Sequence, residues 1–364
     1  MGFKLEFFST KMYLIYASTV FFAIGLLSRD IRLQKILTAP SNPEFQASNI
    51  LCAELPQCTR ISGEVLGLGI QNLFHYFAKF FHGNQFWQNF YLSDIQYFSI
   101  FSGFSSITFR VVCLLPIALY FHRLFRENIK AKVLALLGLA FIFSGFPLYY
   151  LNNLFGIYLV KFDYMVILVM GLLLNFSNQI FKSKIMLFLF TMLCVVTMEN
   201  LPFVLLVVIY FQNKKEFNRF SLFKLSSITI SVTYSILLLG VMRRNSSINS
   251  MESDGRYYSS NLERLPEIIG AIFLMIIWSF VLGILVSSFG LNGLSVNYLK
   301  SIIEFIPTRN VQAIIIGYFF SIFVGFFTSI LTEFARQLLF LQLIVFLFGV
   351  AVGIKHLISL KTRK

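Results

Sequence analysis

Acids are scarce in this chain. It carries 16 Asp and Glu against 30 Lys and Arg over 364 residues, a formal net charge of +14. Charge of either sign makes up 13% of the sequence, about half of what soluble globular domains carry. That shortage excludes a chain wetted over its whole surface. Regular apolar/polar alternation is missing as well, which excludes a membrane β-barrel. Internal repeats and a separate soluble domain are absent. No Walker loop, HExxH pair or GxSxG elbow occurs. Nucleotide-driven, zinc-peptidase and serine-hydrolase chemistry therefore have no footing in the sequence.

What is present is apolar: 57% hydrophobic residues, 45 of the 364 positions Phe, and a mean hydropathy of +0.77. A transmembrane helix needs roughly 20 mostly apolar residues. Ten apolar segments qualify as spans: 12–28, 104–121, 133–151, 164–181, 185–198, 201–212, 225–241, 268–289, 311–331 and 335–354. The expected fold is an all-α polytopic membrane protein, one integral domain over 1–364. The first segment runs into Arg29, Asp30 and Arg32 without a small-x-small cleavage site, so it reads as an uncleaved helix. Residues 185–212 divide at Glu199-Asn200-Leu201-Pro202, because Pro202 disfavours a continuous helix. The arms of that hairpin are short, about 20 Å at 1.5 Å per residue.

If successive loops alternate sides, one set holds 18 Lys/Arg and 4 Asp/Glu, and the other holds 12 of each. All of the net charge then lies on one side. This is the positive-inside pattern of membrane proteins, not a nucleic-acid footprint. It puts both termini in the cytoplasm and the acids that can do chemistry outside.

Two outer loops are long, 29–103 and 242–267. Within the first, Ile61–Gly83 places Leu66, Ile70, Leu73, Phe74, Phe77 and Phe81 at helical spacing. Asn84–Phe98 adds Phe86, Trp87, Phe90, Tyr91 and Tyr97. Both segments read as amphipathic helices lying on the outer leaflet. His75 and His82 read as interfacial packing residues, since a metal site needs further ligands. Cys52 and Cys58 lie close together in the same loop, where an oxidising compartment favours a disulfide. Cys113 and Cys194 fall inside spans and read as inert packing residues.

The candidates for chemistry are ionisable residues at the outer membrane edge, where charge is costly unless paired or used. Asp30 follows the first helix and is placed to act as a general base or to pair with Arg29 or Arg32. Asp163 opens the fourth span, where a carboxylate also favours the helix dipole. Glu199 sits at the hairpin tip with no cation near in sequence, which favours a cavity-lining role. Glu333 and Arg336 stand three apart in a tight turn, spaced to pair with each other. Arg336 is equally suited to meet a phosphate. Arg110, near the outer start of the second span, either snorkels to headgroups or binds a lipid phosphate.

Taken in order, these features resemble the GT-C superfamily of polyprenyl-phosphate-sugar-dependent glycosyltransferases. The resemblance starts with Ser28-Arg29-Asp30, the long loop 29–103, Phe109-Arg110-Val111-Val112 and the basic inner loop Arg123–Lys132. It continues in Phe146-Pro147-Leu148-Tyr149-Tyr150-Leu151. Glu333-Phe334-Ala335-Arg336-Gln337 is similar to a Glu/His-x-x-Arg-aromatic stretch that opens a later helix in many members. Coverage is best over 12–180.

The resemblance implies a cell-envelope enzyme that transfers a sugar, with inversion, from a polyprenyl-phosphate donor to a lipid or glycan acceptor. Asp30 would be the base, and Arg336 with Arg110 would hold the donor phosphate. Asp163, Glu199 and Glu333 would line the substrate side. Members often place acids for a divalent metal directly after the third-helix aromatics. Here those positions are Asn152 and Asn153, which leaves Asp163 as the nearest acid for Mg or Mn. The compactness of the chain favours a bacterial inner membrane, and the site implied by the resemblance then lies on its periplasmic face. The implied partners are membrane lipids, the lipid-linked donor and the acceptor, without nucleic acid. A lipid-linked polysaccharide polymerase or ligase, and a transporter or flippase for lipid-linked sugars, are the competing readings.

The cysteine pair yields the first prediction. Non-reducing mass spectrometry of the purified chain is expected to find Cys52 linked to Cys58, and free thiols at both positions would refute the pairing.

Overall fold

The computed structural model describes residues 10–27, 61–82, 94–125, 128–143, 161–198, 201–212, 216–244, 265–305, 312, 314–320 and 339–362. Every regular element among them is helical. In chain order they are α1 (Thr10–Leu27), α2 (Ile61–Phe81), α3 (Asp94–Leu124), α4 (Ile129–Phe143), α5 (Lys161–Lys182) and α6 (Lys184–Thr197). Then follow α7 (Leu201–Gln212), α8 (Glu216–Arg244), α9 (Leu265–Gly290), α10 (Val296–Phe305) and α11 (Leu339–Thr362). Four stretches are long and apolar enough to cross a membrane: 100–124 in α3, 164–182 in α5, 273–290 in α9 and 341–362 in α11. The chain is thus a polytopic α-helical membrane protein. Helices α1, α6 and α7 are apolar but shorter.

Short polar residues set the helix ends. Asn128 accepts from the Ala131 amide at 3.0 Å and so caps α4, while its side-chain amide donates to the Gly290 carbonyl at the end of α9, 2.9 Å away. One side chain thereby satisfies an orphan donor on one helix and an orphan acceptor on another. Ser183 alone separates α5 from α6, and its hydroxyl accepts from the Met186 amide. Met198 is extended (φ −162°, ψ 137°) and ends α6. The continuous helix is therefore broken before Pro202, as the proline requires.

Where apolar side chains gain nothing by leaving lipid, close backbone packing holds helices together. The most extensive joint among the described residues is α9 against α11. A Cβ on Gly283 would collide with the Phe346 carbonyl and stand 2.8 Å from the Val350 nitrogen. A Cβ on Gly349 would collide with the Phe280 carbonyl, and one on Gly353 with the Ser287 hydroxyl. Gly349 and Gly353 are one helical turn apart, so the two backbones touch along a groove of small residues. The pairing runs 280 to 348, 283 to 349 and 287 to 353, so the helices are parallel. Helix α4 runs antiparallel to α9, with Ala131 beside Gly290, Gly138 beside Val286, and Phe141 beside Trp278.

A second close joint links α3 to α5. Pro116 removes one rung of the α3 ladder. Opposite it, a Cβ on Gly171 would come within 2.8 Å of the proline ring. Asn175 donates to the carbonyls of Pro116 (2.6 Å) and Gly171 (2.7 Å), and Arg123 donates to the Asn175 carbonyl (2.9 Å). This pair is also parallel, because Arg110 meets Tyr164 farther up.

These contacts define two ends. At the basic end the start of α1 meets the end of α3 (Thr10 with His122), and Arg123 reaches Asn175 in the second half of α5. There too Lys132 faces Tyr13, and Lys361 donates to the Leu294 carbonyl. At the far end Gly25 lies against Ile107, and α2 crosses the helix tips. The Ser62 hydroxyl of α2 bonds Thr197 at the end of α6 (2.9 Å), and the Ala78 carbonyl of α2 accepts from Tyr97 at the start of α3 (2.8 Å).

Three expectations change. The second span was placed at 104–121, but its helix begins at Asp94, because Tyr97 and Phe101 pack against α2 and carry the helix beyond the apolar run. Residues 94–98, expected in an interfacial helix over 84–98, are therefore the first turns of α3. The inner loop after residue 289 contains α10, whose Leu299 and Ile302 are buried and whose Lys300, Ser301 and Glu304 are exposed.

Overpacking a tight core costs about 1–3 kcal/mol, whereas Gly→Ala in an open helix gains roughly 0.5–1 kcal/mol. Gly349→Ala is therefore expected to lower the thermal unfolding midpoint in detergent. Gly69→Ala in α2, with nothing within 4 Å of the added carbon, is expected to leave it unchanged or raise it.

Candidate functional site

Arg110 is the expected site residue whose side chain the structure describes. It lies fourteen positions before the end of α3 at Leu124, about 21 Å at 1.5 Å per residue. The apolar stretch around it runs 100–124, longer than the expected 104–121, so Arg110 stands ten residues after its start, in a helix that begins at Asp94. It is also buried, with 5% of its surface exposed, so snorkelling to headgroups is not its arrangement. Its guanidinium carbon stands 5.4 Å from the centroid of the Tyr164 ring. A cation over a desolvated aromatic face gains about 2 kcal/mol. The Tyr164 hydroxyl donates to the Phe143 carbonyl at 3.1 Å, so the platform beneath Arg110 is fixed by the end of α4.

A polar strip leads toward this cation. Ser102, Ser106 and Arg110 recur every four residues on one face of α3. Ser106 is buried, as is Ser105, whose hydroxyl donates to the Ser102 carbonyl (2.7 Å). The Ser102 hydroxyl is sealed from solvent and has no hydrogen-bond partner among the described residues. Asp163 stands in the first turn of α5, one residue before Tyr164, so its backbone reaches the neighbourhood of Arg110. Its side chain lies outside the described residues. So do Asp30, Cys52, Cys58, Glu199, Glu333 and Arg336. Cys113 and Cys194 are buried and unpaired, as expected.

A divalent ion wants several hard oxygen ligands. Among the described residues no group of three His, Cys, Asp or Glu side chains converges. The acids expected near such an ion, Asp163 first among them, have side chains outside the described residues, and no chemical step below is routed through a metal.

His75 and His82 of α2 flank one ring. Phe98 lies 5.5 Å from His75 and 5.6 Å from His82, nearly parallel to the latter. Partial burial, and then the neighbouring Lys79, hold His75 below the usual histidine range.

One polar cluster escaped sequence reasoning. Lys132 falls in a basic inner loop by sequence, yet it belongs to the first turn of α4 and is 4% exposed. Its ammonium lies 6.0 Å from the Tyr13 ring centroid, and Tyr13 in turn packs on His122 (4.7 Å). Thr10 bonds the same histidine at 3.3 Å. Asn128, a helix-capping residue at the right distance, was the available signal that the helix starts before Lys132.

Neither a protein-family model, nor a curated protein, nor a solved structure matches this chain.

The Tyr164 platform is testable by stability alone. Tyr164→Phe removes one hydrogen bond and should cost about 1 kcal/mol. Tyr164→Ala also empties a buried volume and should cost about 3–5 kcal/mol. Thermal unfolding of both variants in detergent checks the order.

Proposed function

We propose that the chain is a GT-C-type membrane glycosyltransferase, transferring a sugar from a polyprenyl-phosphate donor to a lipid or glycan acceptor on the non-cytoplasmic face. The observation that carries this reading is Arg110, a permanent cation held in a water-poor part of the bundle on an aromatic platform. A planar guanidinium in such surroundings suits a phosphate dianion or diester. The polar strip Ser102–Ser106 running to it offers hydroxyls along the path that a polar headgroup would take.

Under this reading the basic end is cytoplasmic and the membrane is a bacterial inner membrane. Parallel pairing supports the larger number of crossings. Helices α3 and α5 run the same way, as do α9 and α11, so the chain linking each pair has to return to its starting end. The expected spans 133–151 and 311–331 supply those returns.

The transfer needs no covalent enzyme intermediate. Asp30 takes the acceptor hydroxyl proton as the oxygen attacks the anomeric carbon. The bond from that carbon to the phosphate oxygen breaks, and the electron pair leaves with the phosphate. Attack from the opposite face inverts the centre. Arg336 and Arg110 stabilise the leaving charge, a role for fixed cations in a low-dielectric site. Asp163, Glu199 and Glu333 line the sugar and acceptor side.

Loss of a general base typically costs 10²–10⁴-fold in rate. Asp30→Asn is therefore expected to abolish measurable transfer from a radiolabelled polyprenyl-phosphate sugar in detergent, with an unchanged unfolding midpoint. Arg110→Lys, which keeps the charge but loses the fork, is expected to raise KM for the donor more than it lowers kcat. Near-normal transfer by Asp30→Asn would remove the catalytic assignment.

A further inference from the structure

Helix α2 has three faces. Gly63, Gly67 and Ala78 are buried against the bundle, with Phe74 packed beside them. A second face carries Gln71, His75, Lys79 and His82 at steps of three and four residues. The third is apolar and open: Val65, Leu73, Tyr76, Phe77 and Phe80, with Tyr76 72% and Phe80 80% exposed. A helix lying in water would not turn rings of that size outward, and a helix spanning the bilayer would not carry the second face. The ends of α2 are pinned at the tips of α6 and α3, so it lies across the far end of the bundle rather than along it.

We propose that α2 docks on an anionic bilayer surface, with Leu73, Tyr76, Phe77 and Phe80 in the acyl layer and His75, Lys79 and His82 against lipid phosphates, and that its preference for anionic lipid grows as pH falls. The charge pattern selects this occupant: the described ionisable side chains on the polar face are all basic, and the apolar face adjoins them. Lys79 adds a basic side chain to the same face. Histidine takes up its second proton between pH 5 and 8, and partial burial, then Lys79, shift that step downward for His75.

Among the described groups packed around the strip, none brings a competing titration in this window. From α3, Tyr97 is tied to the Ala78 carbonyl and pushed upward by burial, while Phe98 and Phe101 carry no charge. From α6, Thr197 is neutral. Glu64 lies on the same face of α2, Asp94 heads α3, and Lys161 and Asp163 open α5; the side chains of these four lie outside the described residues. The proposal rests on the membrane fold and is independent of sugar transfer.

The test uses the full chain in vesicles. Tyr76→Trp in a Trp87→Phe, Trp278→Phe background gives one reporter on the open face. Vesicles of phosphatidylglycerol or phosphatidylcholine carry dibrominated acyl chains, which quench tryptophan on contact. Strong quenching is expected, with a phosphatidylglycerol preference of about fivefold per surface cation, rising between pH 7.5 and pH 5. The triple variant His75→Gln, Lys79→Gln, His82→Gln should keep the quenching and lose both the preference and its pH dependence. Phe80→Trp in the same background serves as a second reporter if Tyr76→Trp unfolds. Absence of quenching at both reporters would mean that a protein surface or water covers this face, and would overturn the proposal. A preference that survives the triple variant would overturn the role of the basic strip.

Discussion

The backbone contact between α9 and α11 is the constraint on which the rest of the bundle depends. Gly283, Gly349 and Gly353 let two parallel helices touch without side chains between them. That approach fixes Phe346, which then packs on Gly138 of α4 and on Phe121 of α3. Asn128 secures α4 to the end of α9, and Tyr164 secures α5 to the end of α4. Moving α11 outward by the width of a methyl group would thus propagate to the helix that carries Arg110. In lipid, where apolar burial drives nothing, such geometric locking takes over the role that a hydrophobic core has in water.

The two ends of the bundle solve opposite problems. At the basic end polar groups are consumed structurally: Arg123 on the Asn175 carbonyl, Lys361 on the Leu294 carbonyl, Asn128 between two helix termini. At the far end the polar groups on α3 line an internal strip instead, with a sealed Ser102 hydroxyl and a cation at its foot. Structural hydrogen bonding is thus concentrated at the basic end, and the buried cation lies away from it.

Much of this was legible in the sequence, for reasons that differ by feature. Charge sorting and long apolar runs identify the class, because the cost of burying charge in lipid is large and local. Pro202 marked the break before α7, because proline acts on its own helix. The depth of Arg110 was not legible. Hydropathy ends the second span where apolar residues thin out, whereas α3 continues to Asp94 on the strength of tertiary contacts from Tyr97 and Phe101. Helix α10 was missed because its apolar residues, Leu299 and Ile302, are few, and only packing against the bundle makes them decisive. The glycines at 349 and 353 were visible, but their meaning depends on a partner helix more than fifty residues away in the sequence. The site residues group themselves the same way: Arg110 is placed by one helix and one ring, whereas the others depend on segments outside the described residues.

The single-residue joint at Ser183 bears on how the protein is made. Helices α5 and α6 end and begin at Lys182 and Lys184, with one capped serine between them. A joint that short leaves no slack for the first helix to settle before the second emerges from the ribosome. The pair therefore behaves as one folded hairpin, with its two lysines held together on the same side of the bundle. Orientation is then decided once for both helices, and an error in it cannot be corrected one helix at a time.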